Sequence, residues 1–243
     1  DVRVYNNVIH DTDGAGLGVN GGYNILLAYN TLYRVGRRSH LLEFVFGARG
    51  CDGDTPGCAA RLAEGGWGST VTGGDEPIPN RNVLVYNNLI VNPDGYASEW
   101  QHLAAQGPRH PGAGSHIPDP AVTDDNLVLA GNVIWNGSAD HPLGVGEEAC
   151  TDANPTCNVA QLEADNTINR VQPQFVDAAG GDWQIANPDV LPTPVALAGF
   201  PAWDTFTPAV PAGDSANSVP TDRLGRLRAG YDQVGALAAE NSA

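Results

Sequence analysis

The sequence predicts an all-β fold, a right-handed parallel β-helix (solenoid) with long loop insertions. Short segments of alternating apolar residues recur along the chain, and asparagine occupies the same place in most of them. The 243 residues include 30 Gly and 18 Pro, a composition typical of many turns and few long helices. A solenoid of this length can form one unit, so we expect residues 1–243 to be a single domain.

Four segments of eight residues carry the repeat, and apolar residues occupy their first, third and seventh positions. Such alternation over a short run indicates a β-strand with one buried face. The segments are Val2–Ile9, Leu26–Tyr33, Val83–Ile90 and Leu127–Ile134. An antiparallel sandwich is the alternative, but its turns fall about every eight to twelve residues, and these repeats are spaced more widely.

The fifth position of the repeat predicts a ladder of inward asparagines. It holds Asn6, Asn30, Asn87 and then Gly131. An amide side chain both donates and accepts hydrogen bonds, so a stack of amides satisfies the backbone groups that are freed where each strand turns. Tyr29 and Tyr86, at the fourth position, are expected to stack on the outside, and we assign them to substrate binding.

Three groups of residues carry a family resemblance. They are the Tyr-Asn-Asn units of the repeat, Gln174–Asp177 followed by Gly181–Trp183, and Asp222–Arg226 followed by Gly230–Ala236. Together they resemble bacterial right-handed parallel β-helix proteins, a group that includes many polysaccharide lyases. The resemblance implies a secreted or surface protein with a polysaccharide partner. Because the same scaffold also carries hydrolases, epimerases and non-catalytic surface proteins, it says little about activity.

The charge balance excludes a nucleic-acid partner. The chain has 28 acidic residues against 12 arginines and no lysine, for a net charge of −16, and such a surface repels a phosphate backbone. No run of eighteen apolar residues is present, so the sequence predicts no membrane span. The acidity serves either solubility or the binding of divalent cations.

The beginning of the chain already has the pattern of a repeat unit. The sequence contains no methionine, and no signal peptide precedes Asp1. We therefore expect a processed chain or a fragment that lacks N-terminal coils or a cap. The missing N-terminal part of the same precursor is then a candidate partner that covers the open edge of the first strand.

The four cysteines form two pairs with the same spacing. Cys51 and Cys58 close one short loop, and Cys150 and Cys157 close another. Zinc sites prefer tighter spacing and more nearby ligands, so two local disulfides are the simpler interpretation. Disulfides persist in oxidising compartments, and we therefore expect the protein outside the cell or at its surface.

Two long insertions are the best candidates for a functional surface. They are residues 34–81 and 91–125, and four of the six histidines lie in them. Insertions that leave a solenoid at the same edge cluster in space and usually build the binding face. We expect a groove beside the strands that hold Asn6, Asn30 and Asn87, with these insertions as its walls.

The chemistry of a polysaccharide lyase supplies roles for these residues, because it needs a base, a second acid–base group and a cation that neutralises the substrate carboxylate. Such lyases often use lysine as the base, and this chain has none. We predict His40 as base, Arg37 or Arg38 as neutraliser, and His102 or His110 as second acid–base group. Candidates for substrate binding are Trp67, Trp100 and Arg109.

Two other functions stay open. A glycoside hydrolase needs two facing carboxylates, and Asp11, Asp13, Glu43 and Glu99 are available. A non-catalytic adhesive module needs only the scaffold and exposed loops. Cleavage products separate the three functions, since a lyase yields unsaturated sugars and a hydrolase only new reducing ends.

An Asp-Gly-Asp run within the first cysteine loop suggests bound Ca²⁺. Alternating Asp and Gly can present carboxylate oxygens to this ion from a tight turn, and we name Asp52, Asp54 and Asp13 as ligands. Further along, residues 186–221 are rich in Pro, Ala and Asp, and we expect an extended segment that covers the solenoid. Its predicted anchors are Trp183, Phe200, Trp203 and Phe206.

Overall fold

The structure, a computed structural model, describes residues 1–70, 73–147, 149–201, 214–228 and 232–239. Strands dominate these residues, and most of them are short. In chain order the elements are β1 (Val2–Tyr5), β2 (Val8–His10), β3 (Leu17–Asn20), β4 (Gly22–Ala28), β5 (Thr31–Tyr33), β6 (Leu42–Val45), β7 (Gly47–Arg49), α1 (Thr55–Ala63), β8 (Glu76–Ile78), β9 (Asn80–Tyr86), β10 (Leu89–Asn92), β11 (Leu103–Ala105), β12 (Asp125–Ala130), β13 (Val133–Asn136), α2 (Val159–Asp165), β14 (Thr167–Ile168), β15 (Phe175–Asp177), β16 (Asp182–Ile185) and a 3-10 turn (Pro188–Val190).

Three parallel sheets contain the repeats. The first has the strand order β1-β4-β9-β12, the second β2-β5-β10-β13-β14 and the third β3-β6-β11. The chain visits the first, second and third sheets in turn from β1 to β6, and again from β9 to β11. Leu27 and Val85 of the first sheet, Ile90 of the second and Phe44 of the third belong to one buried cluster. The main core therefore lies between the three sheets.

The prediction of an all-β, continuous right-handed parallel β-helix is wrong. The described residues form a mixed structure of five separate sheets and two α-helices, and none of these sheets is closed or continues as a solenoid. Two of the sheets are antiparallel pairs, β7 with β8 and β15 with β16. The apolar alternation predicts the strands, but it does not predict the segments between them or how the strands combine into sheets. The inserted segments carry helix signals that have no period of two, such as Asp54, which caps α1 by accepting a hydrogen bond from the Gly57 amide.

The predicted alignment of the second repeat is also wrong, by one residue. In the first sheet Val2 pairs with Ile25 and Ile25 with Val83, so the second repeat begins at Ile25 rather than Leu26. The error arises from matching the Tyr29-Asn30 step to the Tyr-Asn steps of the other repeats. The structure places Asn6, Tyr29, Asn87 and Gly131 in equivalent positions, with φ of 58°, 53°, 54° and 68°. Each repeat thus turns through one left-handed residue, a conformation that glycine and asparagine tolerate best.

The asparagine ladder occupies the next position of each repeat, at the bend between the first and second sheets, and it links one repeat to the next along this bend. Asn88 shows the pattern: its Nδ2 donates to the Leu27 carbonyl and to Asn132 Oδ1, both at 2.9 Å. Its own Oδ1 accepts from the amide and the Nδ2 of Asn30, at 2.9 and 3.0 Å. The members are Asn7, Asn30, Asn88, Asn132 and Asn166. From Asn30 to Asn166, each amide thereby satisfies backbone groups of neighbouring repeats that are buried at the bend.

A second stack of amides lies where the chain leaves the second sheet. Asn92 Nδ2 donates to Asn136 Oδ1 at 3.0 Å, and Asn92 Oδ1 accepts from the Val35 amide at 2.9 Å. Asn136 Oδ1 accepts from the Ser98 amide, also at 2.9 Å. The loops that begin near Val35 and Ser98 are therefore anchored to neighbouring members of one buried stack, which fixes them side by side.

The outer face of the first sheet is covered in part by Leu197, Phe200 and Val219, which belong to the predicted covering segment. Phe200 and Val219 pack with Leu26, Tyr29 and Tyr86 in a second buried cluster. Trp183 lies elsewhere, against Phe175 and Tyr33. The other two predicted anchors, Trp203 and Phe206, lie outside the described residues.

Both predicted disulfides are confirmed. Cys51 bonds to Cys58 and Cys150 to Cys157, with Cα–Cα distances of 6.1 and 5.5 Å. The second bond belongs to the main core cluster, whereas the first closes a surface insertion that leads into α1.

Removal of either disulfide is expected to lower the free energy of unfolding by about 2–3 kcal/mol, because each closes a short loop in the unfolded chain. All four cysteines are buried, but only Cys150 and Cys157 belong to the main core cluster, so the Cys150→Ala/Cys157→Ala variant should be the less stable of the two double variants. Urea unfolding of both variants checks this order. A larger loss for Cys51→Ala/Cys58→Ala contradicts it.

Candidate functional site

A cleft lies on the outer face of the third sheet. Within β6 the side chains of Leu42 and Phe44 are buried in the core, so Glu43 between them faces outward. Its neighbours in register are Gly18 and Ala104, both small. The Glu43 side chain therefore projects from the sheet between two residues that have little or no side chain. The cavity above it has a volume of about 800 Å³, and its polar and aromatic lining includes His40, Glu43, Trp100, Gln106, Arg109 and Glu147.

The floor of the cleft holds a histidine–carboxylate pair. His40 Nδ1 lies 3.2 Å from Glu43 Oε1, and the Ser39 hydroxyl donates to the same oxygen. Burial raises the pKa of the Glu43 carboxyl, but the hydrogen bonds from Ser39 and His40 outweigh this and hold the pKa below its ordinary value. Glu43 is thus an anion at neutral pH. With Nδ1–H of His40 directed at this anion, Nε2 is the ring nitrogen that can accept a proton.

Two further groups line the cleft at opposite ends of β11. Before the strand, Trp100 is half exposed, and its ring centroid lies 5.1 Å from that of His40. The Trp100 amide donates to the Ser39 carbonyl at 3.3 Å. After the strand, the Arg109 guanidinium lies 4.7 Å from the centre of the Phe46 ring, a cation–π contact that holds the charge in place.

Arg37 and Arg38 lie beside the cleft but do not line it. They occupy the exposed centre of a turn closed by a 3.0 Å hydrogen bond from the Ser39 amide to the Gly36 carbonyl. The cation within the cleft is Arg109, which the sequence assigned to substrate binding.

His102 is buried and does not reach the cleft. It is 2% exposed, its Nδ1 donates to the Pro142 carbonyl at 3.0 Å, and its Nε2 is buried without a partner among the described residues. Burial lowers the pKa of His102 to about 4. A ring that stays neutral down to this pH is a poor acid–base group near neutrality, so the prediction of His102 as a second acid–base group is not supported.

The buried state of His102 makes stability sensitive to acid. In the unfolded chain this ring binds a proton at pH about 6.5, and in the folded protein only near 4. As the pH falls below 6.5, the unfolded state binds a proton that the folded state does not. The free energy of unfolding therefore decreases by about 3 kcal/mol between pH 6.5 and pH 4.

Urea unfolding from pH 7 to pH 4.5 measures this loss before carboxylate titration dominates. The His102→Gln variant is expected to show a much weaker pH dependence than the wild type, and His110→Gln is the control that keeps it. An unchanged slope in His102→Gln contradicts the assignment.

His110 and Trp67 are separated from the cleft. His110 is exposed, its Nδ1 lies 2.6 Å from Asp119 Oδ1, and it lines another cavity of about 530 Å³. Trp67 packs against the small apolar cluster of Phe46, Ile117 and Ala121. Neither is placed to act together with His40.

The two tyrosines assigned to substrate binding are buried under the covering segment. Tyr29 is 5% exposed and Tyr86 is 7% exposed. The Tyr29 hydroxyl donates to Asp232 at 3.0 Å, and the buried guanidinium of Arg228 lies 4.0 Å from the ring centre. Burial, followed by the charge of Asp232, raises the pKa of Tyr29. Both rings therefore contribute to packing.

The predicted calcium ligands do not converge. Asp54 caps α1, and Asp52 and Asp13 are exposed in separate loops. Among the residues that the structure describes, no group of three or more His, Cys, Asp or Glu side chains is placed to hold a metal ion. Calcium binding remains a prediction, without a defined site.

The sequence prediction named Glu43 only as an available hydrolase carboxylate, not as the partner of His40, and it did not name Gln106 or Glu147. A signal for Glu43 was present, because Leu42-Glu43-Phe44 alternates as a half-buried strand does. It falls within residues 34–81, a region interpreted as a loop. Glu147 carries no such pattern.

Comparison of the chain with protein-family models, curated proteins and solved structures finds no match. Within the described ranges, neither α-helix has the length and apolar character needed to cross a membrane. The cleft is therefore the feature from which a function can be proposed.

Proposed function

We propose that the cleft on the third sheet binds an acidic polysaccharide and cleaves it by β-elimination. One observation carries the proposal: the His40–Glu43 pair lines the same cavity as Arg109 and Trp100. These side chains provide the base and the cation that elimination from a uronic acid requires, together with an aromatic surface on which a sugar ring can stack.

The reaction assigns each group a step. The Arg109 guanidinium pairs with the sugar carboxylate and makes the neighbouring C–H more acidic. His40 Nε2 removes that proton, its electron pair forms a carbon–carbon double bond, and the adjacent bond to the glycosidic oxygen breaks. The protonated imidazole then returns a proton to the leaving oxygen. The Glu43 carboxylate stabilises the imidazolium between these two transfers.

Hydrolysis is the second candidate, because Glu43 and Glu147 line the same cavity. A glycoside hydrolase requires one carboxylic acid that stays protonated near neutral pH. The pKa of Glu43 is shifted in the opposite direction, so Glu43 does not suit this role. Elimination needs no protonated carboxyl group, and we prefer it for this reason.

The compartment is part of the proposal. Two disulfides fit an oxidising environment, and an extended acidic polysaccharide is a substrate met outside the cell. We place the protein outside the cell or at the cell surface.

A screen against alginate, pectate, glycosaminoglycans and neutral glycans tests the function. Ultraviolet absorbance reports the unsaturated product, and a reducing-end assay reports every cleavage. We expect both signals with an acidic glycan and neither with a neutral one. Reducing ends without absorbance indicate hydrolysis, and binding without either signal indicates a non-catalytic module; both outcomes refute elimination.

A further inference from the structure

We propose that the turn of residues 36–39, the basic turn, forms a second subsite, in which Arg37 and Arg38 bind the carboxylates of sugars adjacent to the one in the cleft. The inference rests on the proposed function, since it assumes an acidic glycan. It adds that the protein recognises several consecutive charged sugars.

The first observation is that these guanidiniums have no hydrogen-bond or ion-pair partner among the described residues, in a chain with a net charge of −16. Arg37 and Arg38 are exposed, and their side chains form no hydrogen bond or ion pair with any described residue. Other arginines lie within ion-pair distance of a carboxylate, namely Arg34, Arg81, Arg170, Arg226 and Arg228. Where acidic groups are in such excess, an unpaired pair of arginines is available to an anionic ligand.

The second observation is that the backbone of the basic turn is held in place while its side chains are free. The Arg38 amide donates to the Asp13 carbonyl at 2.8 Å, and the Glu99 amide donates to the Gly36 carbonyl at 3.0 Å. Gly36 has φ of 76°, and a Cβ there would lie 2.8 Å from the His40 carbonyl oxygen. A turn anchored on both sides presents its side chains at little further cost in backbone order.

The third observation is the position of the basic turn relative to the cleft. Ser39 ends the turn and hydrogen-bonds both to Glu43 and, through its carbonyl, to the Trp100 amide. His40 follows directly in the chain. The basic turn thus adjoins the Trp100 end of the cleft, and Arg109 lies at the other end of β11. A glycan that pairs with Arg109 and stacks on Trp100 continues toward Arg37 and Arg38.

Nearby carboxylates do not neutralise the basic turn. Asp11 pairs with Arg34 at 3.2 Å, and its second oxygen lies 2.9 Å from His10 Nδ1. Asp13 and Glu99 are exposed, and neither forms an ion pair with Arg37 or Arg38. The Asp13 and Glu99 carboxylates instead repel a ligand of high negative charge density, such as a nucleic acid. The subsite suits separate carboxylates that are spaced along a sugar chain.

The test compares the wild type with Arg37→Gln/Arg38→Gln on oligogalacturonates and alginate oligomers, from disaccharide to hexasaccharide. The control is Arg170→Gln/Arg223→Gln, which removes the same charge from two exposed positions outside the cleft. We expect the first variant to raise Kd and KM for hexasaccharides at least about tenfold, with kcat unchanged and disaccharide binding unaffected. Its affinity should also depend less on salt, and the control should match the wild type.

The outcomes separate the subsite from the proposed reaction. If the wild type cleaves acidic oligomers and the Arg37→Gln/Arg38→Gln variant keeps its KM for long chains, the subsite is refuted and the reaction stands. If the wild type binds without cleaving and the variant loses affinity only for long chains, the subsite is supported and the reaction is refuted. A wild type that binds no acidic oligomer refutes both.

Discussion

The His40→Ala variant is expected to cleave acidic glycans about 10²- to 10⁴-fold more slowly than the wild type, with little change in KM. The imidazole is the base in the proposed elimination, and its loss removes proton transfer while Arg109 and Trp100 still bind the sugar. Glu43→Gln should also reduce kcat, because an amide orients His40 without stabilising the imidazolium. Initial rates from product absorbance at saturating substrate measure both effects.

His110→Ala is the matched control for this prediction. His110 also interacts with a carboxylate, at 2.6 Å, but it lies outside the cleft. Its replacement should leave kcat unchanged, and thermal melting should show all three variants folded. Wild-type rates in His40→Ala, or an equal loss in His110→Ala, contradict the assignment of the base.

The Asn88→Ala variant is expected to lower the free energy of unfolding by about 3–6 kcal/mol. Asn88 is fully buried, and its loss leaves the Leu27 carbonyl and the Asn30 amide without these partners. An unsatisfied buried polar group costs about 1–3 kcal/mol, and the bond to Asn132 is lost as well. Since a typical domain is stable by only about 5–15 kcal/mol, this variant approaches the limit of folding.

Asn7→Ala provides the comparison within the same ladder. Asn7 lies at its partly exposed end and donates to the Tyr5 carbonyl and to Asn30 Oδ1. Water can replace these bonds, so we expect a loss of about 1 kcal/mol. Denaturant midpoints and slopes for both variants give the two energies. If Asn88→Ala lowers the free energy of unfolding by no more than Asn7→Ala does, burial within the ladder does not determine its contribution to stability.

Local structure was the part of the fold that the sequence predicted well. Apolar alternation located strands near Val2, Val83 and Leu127, and the matched cysteine spacing gave both disulfides. The register of the second repeat was missed because Tyr29 occupies a left-handed position that Asn6 and Asn87 occupy elsewhere. A sequence match cannot show that a tyrosine takes the backbone conformation usual for asparagine.

The fold class and much of the site depend on contacts between distant parts of the chain. Tyr29 and Tyr86 are buried because Phe200, more than a hundred residues later, packs over them. His102 precedes a core strand and is buried with it, whereas His40 lines the cleft. Histidine clustering in sequence therefore identified one residue of the pair and could not identify Glu43 as its partner. The cleft forms only when the third sheet and the loops that carry Trp100, Arg109 and Glu147 have folded together.

The most direct test of the central claim is a crystal structure of the His40→Ala variant with an acidic hexasaccharide. We expect a sugar ring stacked on Trp100, a carboxylate within hydrogen-bond distance of Arg109, and the carbon next to that carboxylate facing the vacated position of His40. An oligosaccharide bound away from the outer face of the third sheet contradicts the account. Binding in the cleft with no carboxylate at Arg109 also contradicts it.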